Sequence, residues 1–509
     1  MYNLASIACV ITAITLLVGL KKKSARIASL GPVLLIGILV IGGVAQGTVQ
    51  NFIVNPAEIH KEQPYISNNI EMTNKAYGLD QITEVQFSGD GVLTASDLKD
   101  EMDTINNIRL IDYRPTITVF NQLQSMRLYY KFVDVDIDRY NIDGAQQQVY
   151  LSARELDQNS LDVSAQTWVN KYLKYTHGYG AVVTPVNKVT TQGQPEMWVE
   201  NIPPTTSVEE LMITRPEIYF GQLTNDYVIV NTKEPEFDYP TGDTNAQTQY
   251  AGDAGINMTM GNKALFALDR ANYKILFSNL INSDSKILLN RNILDRVEKI
   301  APFLTFDQDP YLVIDNGNLV WVIDAYTSSN KYPYAARISN TASPFYGQNY
   351  VRNSVKVTVN AYDGETKFYI VDNSDPLVQS YAKVFPGLFL TLDEMPQNIR
   401  EHLKYSTTLF EVQTEIYQRY HMKDPTVFYN KEDVWSIANE IYGNQIEQME
   451  PYFVNMSLPG SDATEFLLIR PFTPTEKNNM VAWLAARNDD ENYGKLVLFK
   501  FPKQSTIYG

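Results

Sequence analysis

Two uncharged apolar runs at the start of the chain, with a tight basic turn between them, constrain it more than any other feature. Leu4 to Leu20 holds 17 residues and Ile27 to Val49 holds 23, without one Asp, Glu, Lys or Arg. A helix needs about 17 to 25 such residues to cross the hydrocarbon of a bilayer, so each run predicts a membrane span. Lys21, Lys22, Lys23 and Arg26 fill the turn. Short loops rich in Lys and Arg stay on the cytoplasmic side, which puts the turn inside and residues 50–509 outside the cytoplasm. A cleaved secretory signal needs a basic leader before its apolar run, and only Met1, Tyr2 and Asn3 stand there. Gly31, Pro32, Gly37, Gly42 and Gly43 fall in the second run, where small residues allow close helix packing.

Charge and cysteine content narrow the rest. All four cations of the first 49 residues lie in that turn, leaving 38 basic against 58 acidic residues beyond it, a balance of about −20. Such a body repels nucleic acid and anionic head groups. The only cysteine, Cys9, lies in the first apolar run, so the body has no disulfide, thiolate metal site or cysteine nucleophile. It must be held by core burial. The 33 tyrosines suit half-buried strands, and also sugar or peptide grooves, where a ring offers an apolar face and a polar tip.

Periodicity predicts an α+β body with antiparallel hairpins, divided into a region over 50–300 and a second over 301–509. Helices are expected over Pro56–Tyr77, Ala95–Ile105 (capped by Ser96), Pro115–Tyr130, Ser164–Thr176, Asn262–Phe277, Ser285–Ala301, a segment from Thr408 with a Thr408/Glu411 capping box, Asn430–Tyr442 and Asn479–Arg487. Strict alternation predicts strands at Lys131–Ile137 and Gln147–Leu156, turning at Asn141–Gly144. Two further hairpins, Tyr311–Ile314 with Leu319–Ala325 and Val355–Tyr362 with Thr366–Asp372, flank the turns Asp315-Asn316-Gly317-Asn318 and Asp363-Gly364. Their likeness hints at an internal repeat of small helix-covered sheets. Glu465–Arg470 and Lys495–Phe501 read as strands, and Pro235–Gly255 as a loop or lid. The chain stops at Gly509 straight after strand-like sequence, which reads as an incomplete end.

The most suggestive chemical group is Asp134, Asp136 and Asp138, whose alternation puts three hard oxygen ligands on one strand face, a candidate Ca²⁺ site with Asn141 and Asp143 nearby. The calcium-loop pattern fails, with Arg139 where glycine and Ala145 where glutamate are needed, and a solvated face partnered by Arg139 is the plainer expectation. The four histidines, His60, His177, His402 and His421, stand at no zinc-pair spacing; His177 is expected to face the dipole at a helix end. No nucleophile elbow, phosphate-binding loop or dinucleotide fingerprint is present. Asp307 with Asp309, or Asp489 with Asp490 and Glu491, offer the two carboxylates of a glycosidase.

Five stretches carry a resemblance: the VNPAE run at Val54, Thr167–Pro185, Arg215–Tyr239, Ile300–Tyr334 and Trp483–Gly494. In order along the chain, they are similar to the large bacterial membrane proteins of uncharacterised protein family one-eight-two. The resemblance implies a multi-span membrane region, a large domain outside the cytoplasm and in some members an acidic tail; it implies no activity. This chain departs in having two spans. The expectation is a cell-membrane protein anchored in the lipid bilayer, serving as an envelope interaction or scaffold component that contacts envelope glycan or other membrane proteins. A carboxylate-dependent envelope glycan hydrolase and an accessory domain of a transport assembly are the alternatives.

Overall fold

The computed structural model describes residues 2–54, 57–87, 89, 91, 94–459 and 464–502. Two compact units emerge, residues 1–71 with 422–433, and residues 72–421 with 434–509.

The first unit begins with helices α1 (Tyr2–Lys21) and α2 (Ala25–Val49), joined by a turn in which Lys23 takes a left-handed conformation. Both are long and apolar enough to cross a membrane. They hide little of that surface, with Leu17, Leu20 and Ile41 about 70% exposed. Where they meet, glycine sets the distance: a Cβ on Gly31 would stand 2.4 Å from Cα of Thr12, and one on Gly19 would stand 2.6 Å from the Ala28 side chain. Gly37 and Gly43 face open space. Pro32 lies inside α2, beyond the first turn, where its missing N–H leaves the Ala28 carbonyl without its i→i−4 bond. The helix expected over Pro56–Tyr77 runs from Glu58 to Tyr77 and continues through Pro64; Pro56 lies outside the described residues.

The second unit is built on three antiparallel-rich sheets. A hairpin turns where expected, but its first strand is displaced: β1 runs over Asp136–Ile142 instead of Lys131–Ile137, and β2 over Ala145–Ala153 instead of Gln147–Leu156, with Asp138 opposite Val149. Asp143 and Gly144 both adopt positive φ, the turn whose twist matches its strands. Ala181–Pro185, Val199–Glu200 and Thr205–Thr206 complete this sheet. The expected helix over Asn262–Phe277 splits at Ala271 into α3 (Met260–Asp269) and α4 (Tyr273–Phe277).

A six-stranded sheet follows, containing β3 (Tyr311–Asp315), β4 (Asn318–Ser329), β5 (Tyr350–Asn360) and β6 (Thr366–Ile370). Both expected hairpins are present. They are not repeated small sheets, because β4 pairs directly with β5 over most of its length and makes them one. A single apolar core ties this sheet to the first, with Val149, Leu151 and Val183 meeting Leu312, Trp321 and Val357, all nearly inaccessible. The third sheet joins Thr83–Gln86, Leu496–Lys500, Ala482–Arg487, Thr464–Pro474, Tyr452–Ser457 and Trp435–Ile437. Helix α5 (Thr407–Tyr420) packs its Leu409, Phe410 and Tyr417 into the core of this sheet.

Several expected helices are strands or shorter turns. Ala482–Arg487 is a central strand, since its Ala, Trp and Leu side chains are buried on both faces and so lose the alternation of a half-exposed strand. Asn430–Tyr442 is the end of a short helix followed by strands Trp435–Ile437 and Asn439–Tyr442. Lys286–Leu288 pairs as a strand, and the helix after it starts only at Ile293. Within Ser164–Thr176 only a 3-10 turn and a five-residue π-helical turn form. The Pro235–Gly255 segment is ordered as a hairpin of Glu236–Thr241 with Thr244–Thr248. The helix expected from Ala95 is capped by Thr94, not Ser96, and breaks after Asp100.

Candidate functional site

The acid-rich strand β1 is where the chain departs most from a solvated face. Its Asp136 and Asp138 point inward and are under 10% exposed, and Asp134 precedes the strand. Facing them is the stretch leading into α5, Glu401-His402-Leu403-Lys404, whose alternate residues meet the alternate aspartates. His402 Nδ1 lies 2.8 Å from Asp138 Oδ2, and Lys404 Nζ lies 3.6 Å from Asp136 Oδ1. Lys404 also donates to the Ile137 carbonyl at 3.1 Å and stands over the Tyr311 ring at 3.9 Å. The result is a short ladder of acid–base pairs between a strand and a loop.

The three aspartates named as Ca²⁺ candidates take three separate partners. Asp134 accepts from Gln222 Nε2 at 3.1 Å, Asp136 accepts from the Leu312 N–H at 3.1 Å, and Asp138 holds His402. Among the described residues no three His, Cys, Asp or Glu side chains are arranged to hold a metal ion. The expected solvated face partnered by Arg139 is instead buried: Arg139 lies 3.6 Å from Asp138, reaches Asp489 at 3.2 Å and stands over the Phe466 ring.

Beside Asp136 opens a cleft of about 260 Å³, walled by Asp136, Asp307, Asp309, Asp324, Lys404 and Tyr311. Asp307 and Asp309, named from sequence as paired carboxylates, do share this cleft. Asp307 accepts from the Tyr326 hydroxyl. Behind them Asp324 on β4 forms an ion pair with Lys356, its direct cross-strand neighbour on β5, and Lys356 also donates to the Lys404 carbonyl. Arg109, Tyr405, Tyr452 and Phe453 add a cation and ring faces to the walls.

Electrostatics set these carboxyls apart. Burial pushes the Asp136 carboxyl well above the usual range, and Asp134 and Asp309 add to that against the opposing pull of Lys404. Asp309 stands at the mouth, wetted yet walled by protein; lost bulk water and the charges of Asp134 and Asp307 push it up to about 6. Asp324 is also raised by burial, which outweighs Lys356. Asp138 is the exception: burial alone would raise it, but His402, Arg139 and Lys404 together hold it below the ordinary value. A cleft holding one carboxyl raised well above its ordinary range beside one raised to about 6 can donate and accept protons at its wall.

The other named residues lie elsewhere. Asp489 is occupied by Arg139 and by the Phe466 N–H at 2.7 Å. His177 meets no helix dipole; it is buried against Tyr219, its Nδ1 2.9 Å from the Gly178 carbonyl oxygen, and burial pushes it down to about 4. A larger cavity of about 700 Å³ includes Arg352, Asp372, Gln413 and Arg487. Sequence reasoning passed over Lys356, Lys404 and Asp324. Their signal was present: Asp324 and Lys356 are lone charges inside apolar strand runs, where only a buried partner makes such a charge tolerable.

Comparison with known proteins places the chain. The model of the Uncharacterised protein family (UPF0182) matches residues 1–509. A UPF0182 protein of Pelotomaculum thermopropionicum is 47% identical over 511 residues, covering 100% of this chain and 55% of the relative. Those of Alkaliphilus metalliredigens and Methanospirillum hungatei are each 46% identical, over 100% and 98% of this chain and 54% and 56% of theirs. The chain thus spans about half the length of the curated relatives it matches. No solved structure matches it. With the family model covering every residue and relatives aligned along the whole chain, the protein belongs to the uncharacterised family UPF0182.

Proposed function

We propose that the chain is anchored in the cell membrane by α1 and α2 and displays residues 50–509 outside the cytoplasm as an interaction or scaffold component of the cell envelope. One observation carries the reading: two helices apolar on every side, their side chains left exposed, joined by a turn holding Lys21, Lys22, Lys23 and Arg26. Water would penalise that surface heavily, and lipid removes the penalty. The basic turn gives the orientation. The ring-walled, carboxylate-rich cleft suits a ligand dense in hydroxyls, such as an envelope glycan. Protease added to intact cells is expected to cut the body; a body that is cut only after the cells are opened overturns the orientation. Retention of the purified full chain on isolated envelope glycan tests the ligand class.

A second reading, a carboxylate-dependent glycan hydrolase, is favoured by Asp309 and Asp136 sharing one cleft with carboxyls raised to different degrees. In it Asp136 supplies the proton and Asp309 or Asp307 the carboxylate. Turnover of envelope glycan by the full chain, lost in Asp309→Asn, is its test; no turnover between pH 5 and about 7 removes it.

A further inference from the structure

Helices α3 and α4 carry apolar side chains on both sides: Phe266, Ala267 and Ile275 pack inward, and a second set faces out. In α3, Lys263 is turned inward and donates to the Ile281 carbonyl at 2.5 Å, while Leu265 and Leu268 are 65% and 80% exposed. Met260 at its start, and Tyr273 and Phe277 of α4, are about 70% exposed. The inward side of the pair is already satisfied, with Ile275 and Met258 buried against Leu173, Tyr227 and Ile229. A surface helix of a soluble body carries polar residues outward. Here five large apolar side chains are exposed along two consecutive helices, which Thr259 and Asn272 cap.

From this exposed set we infer that α3 and α4 dip into the surface of the bilayer, seating Leu265, Leu268, Tyr273 and Phe277 at the level of the acyl chains. Charge and the existing tether support lipid over a second copy of the chain. The exposed charges of the stretch Met258–Leu280 are Arg270 and Lys274 against the acid Asp269, which pairs with Arg270 at 3.0 Å, in a body with an excess of acids; Lys263 is buried. Arg270 and Lys274 lie on the exposed side, flanking the apolar group as cations flank an interfacial helix. A modest apolar contact with the bilayer suffices when the chain is already tethered, because the anchor has met the entropic cost of association. The inference rests on the membrane-anchored reading, and it is independent of which side of the membrane the body occupies.

The test uses the full chain with Cys9 replaced by alanine, reconstituted in vesicles of phosphatidylcholine and phosphatidylglycerol. A nitrobenzoxadiazole label is placed by Leu268→Cys or Phe277→Cys, and by Ile441→Cys as an equally exposed control on the Asn439–Tyr442 hairpin. Spin-labelled acyl chains are expected to quench the labels at 268 and 277 at least about twofold and to leave the label at 441 nearly unchanged. Arg270→Glu combined with Lys274→Glu lowers the quenching in phosphatidylglycerol and not in phosphatidylcholine alone. Equal quenching at 268 and 441 overturns the proposal. A blue-shifted label at 268 that lipid does not quench, and that fades as protein is diluted into more lipid, also overturns it and assigns the face to a second copy. If α1 and α2 fail to insert, the chain does not co-float with vesicles, so failure of the anchored reading is recognised separately.

Discussion

Lys356 shows at the scale of one residue how this body tolerates charge in its interior. The ammonium is wholly buried and its counter-charge is Asp324, the residue opposite on the neighbouring strand. Removing one member leaves the other unpaired in low dielectric, so Lys356→Met is expected to destabilise the chain by about 3 to 5 kcal/mol, with Asp324→Leu added to it recovering most of the loss. Chemical denaturation of the two variants reads this; a double variant as weak as the single one would show that the pair is not what matters. Glu155 gives a pH dependence. It is fully buried, its carboxylate takes the Gln222 and Leu223 N–H groups, and burial pushes it up to about 7. The folded chain therefore binds one more proton than the unfolded chain between the ordinary glutamate value and about 7. Stability from this group is full at low pH and falls as pH rises through about 7, by roughly 3 kcal/mol in all. Unfolding midpoints from pH 5 to 8 should follow that slope, and Glu155→Gln should flatten it. Asp309, raised in the same direction to about 6, should be detected in the same way at the cleft, with Asp309→Asn gaining stability at neutral pH relative to pH 4.

At the scale of the element, caps and turns decide boundaries that periodicity leaves loose. The Thr408/Glu411 spacing matches a capping box, yet α5 begins one residue earlier, with Ser406 Oγ accepting the Leu409 N–H at 2.9 Å. Ser406 also bonds the Tyr326 hydroxyl at 2.6 Å, a contact made across 80 residues that no local pattern contains. Ser406→Ala should cost about 1 to 2 kcal/mol, and Thr408→Ala less than about 0.5. Equal losses in thermal melting would return the cap to Thr408. The hairpins were legible because their turns, Asn316-Gly317 and Asp143-Gly144, need positive φ at both positions and the sequence supplies residues that accept it. The Ala482–Arg487 strand was not, because Trp-Leu-Ala-Ala-Arg has good helix formers throughout and only its neighbours on both sides make it a strand.

For the whole molecule, the proposed orientation depends on the basic turn. Replacing Lys21, Lys22, Lys23 and Arg26 together by Gln should leave insertion intact and divide the population between two orientations, because the apolar runs supply the partitioning and the cations the direction. The fraction of body cleaved by external protease in sealed vesicles measures this; unchanged cleavage would mean that other residues set the direction. Gly31→Leu acts on the other term. With Thr12 Cα against its backbone, a larger side chain must separate α1 from α2.

The sequence by itself determined the two apolar helices, the family, the α+β class and the three hairpins. Each depends on composition or on residues close together in the chain, where solvation, period and turn geometry act locally. Only the tertiary structure decided that Asp136 and Asp138 are buried, that His402 and Lys404 answer them, and that Asp307, Asp309 and Asp324 share one cleft. Those residues lie tens to hundreds of positions apart. A carboxylate on an alternating run looks the same whether it meets water or an ammonium, and the difference is made by which strand and loop the fold brings across from it.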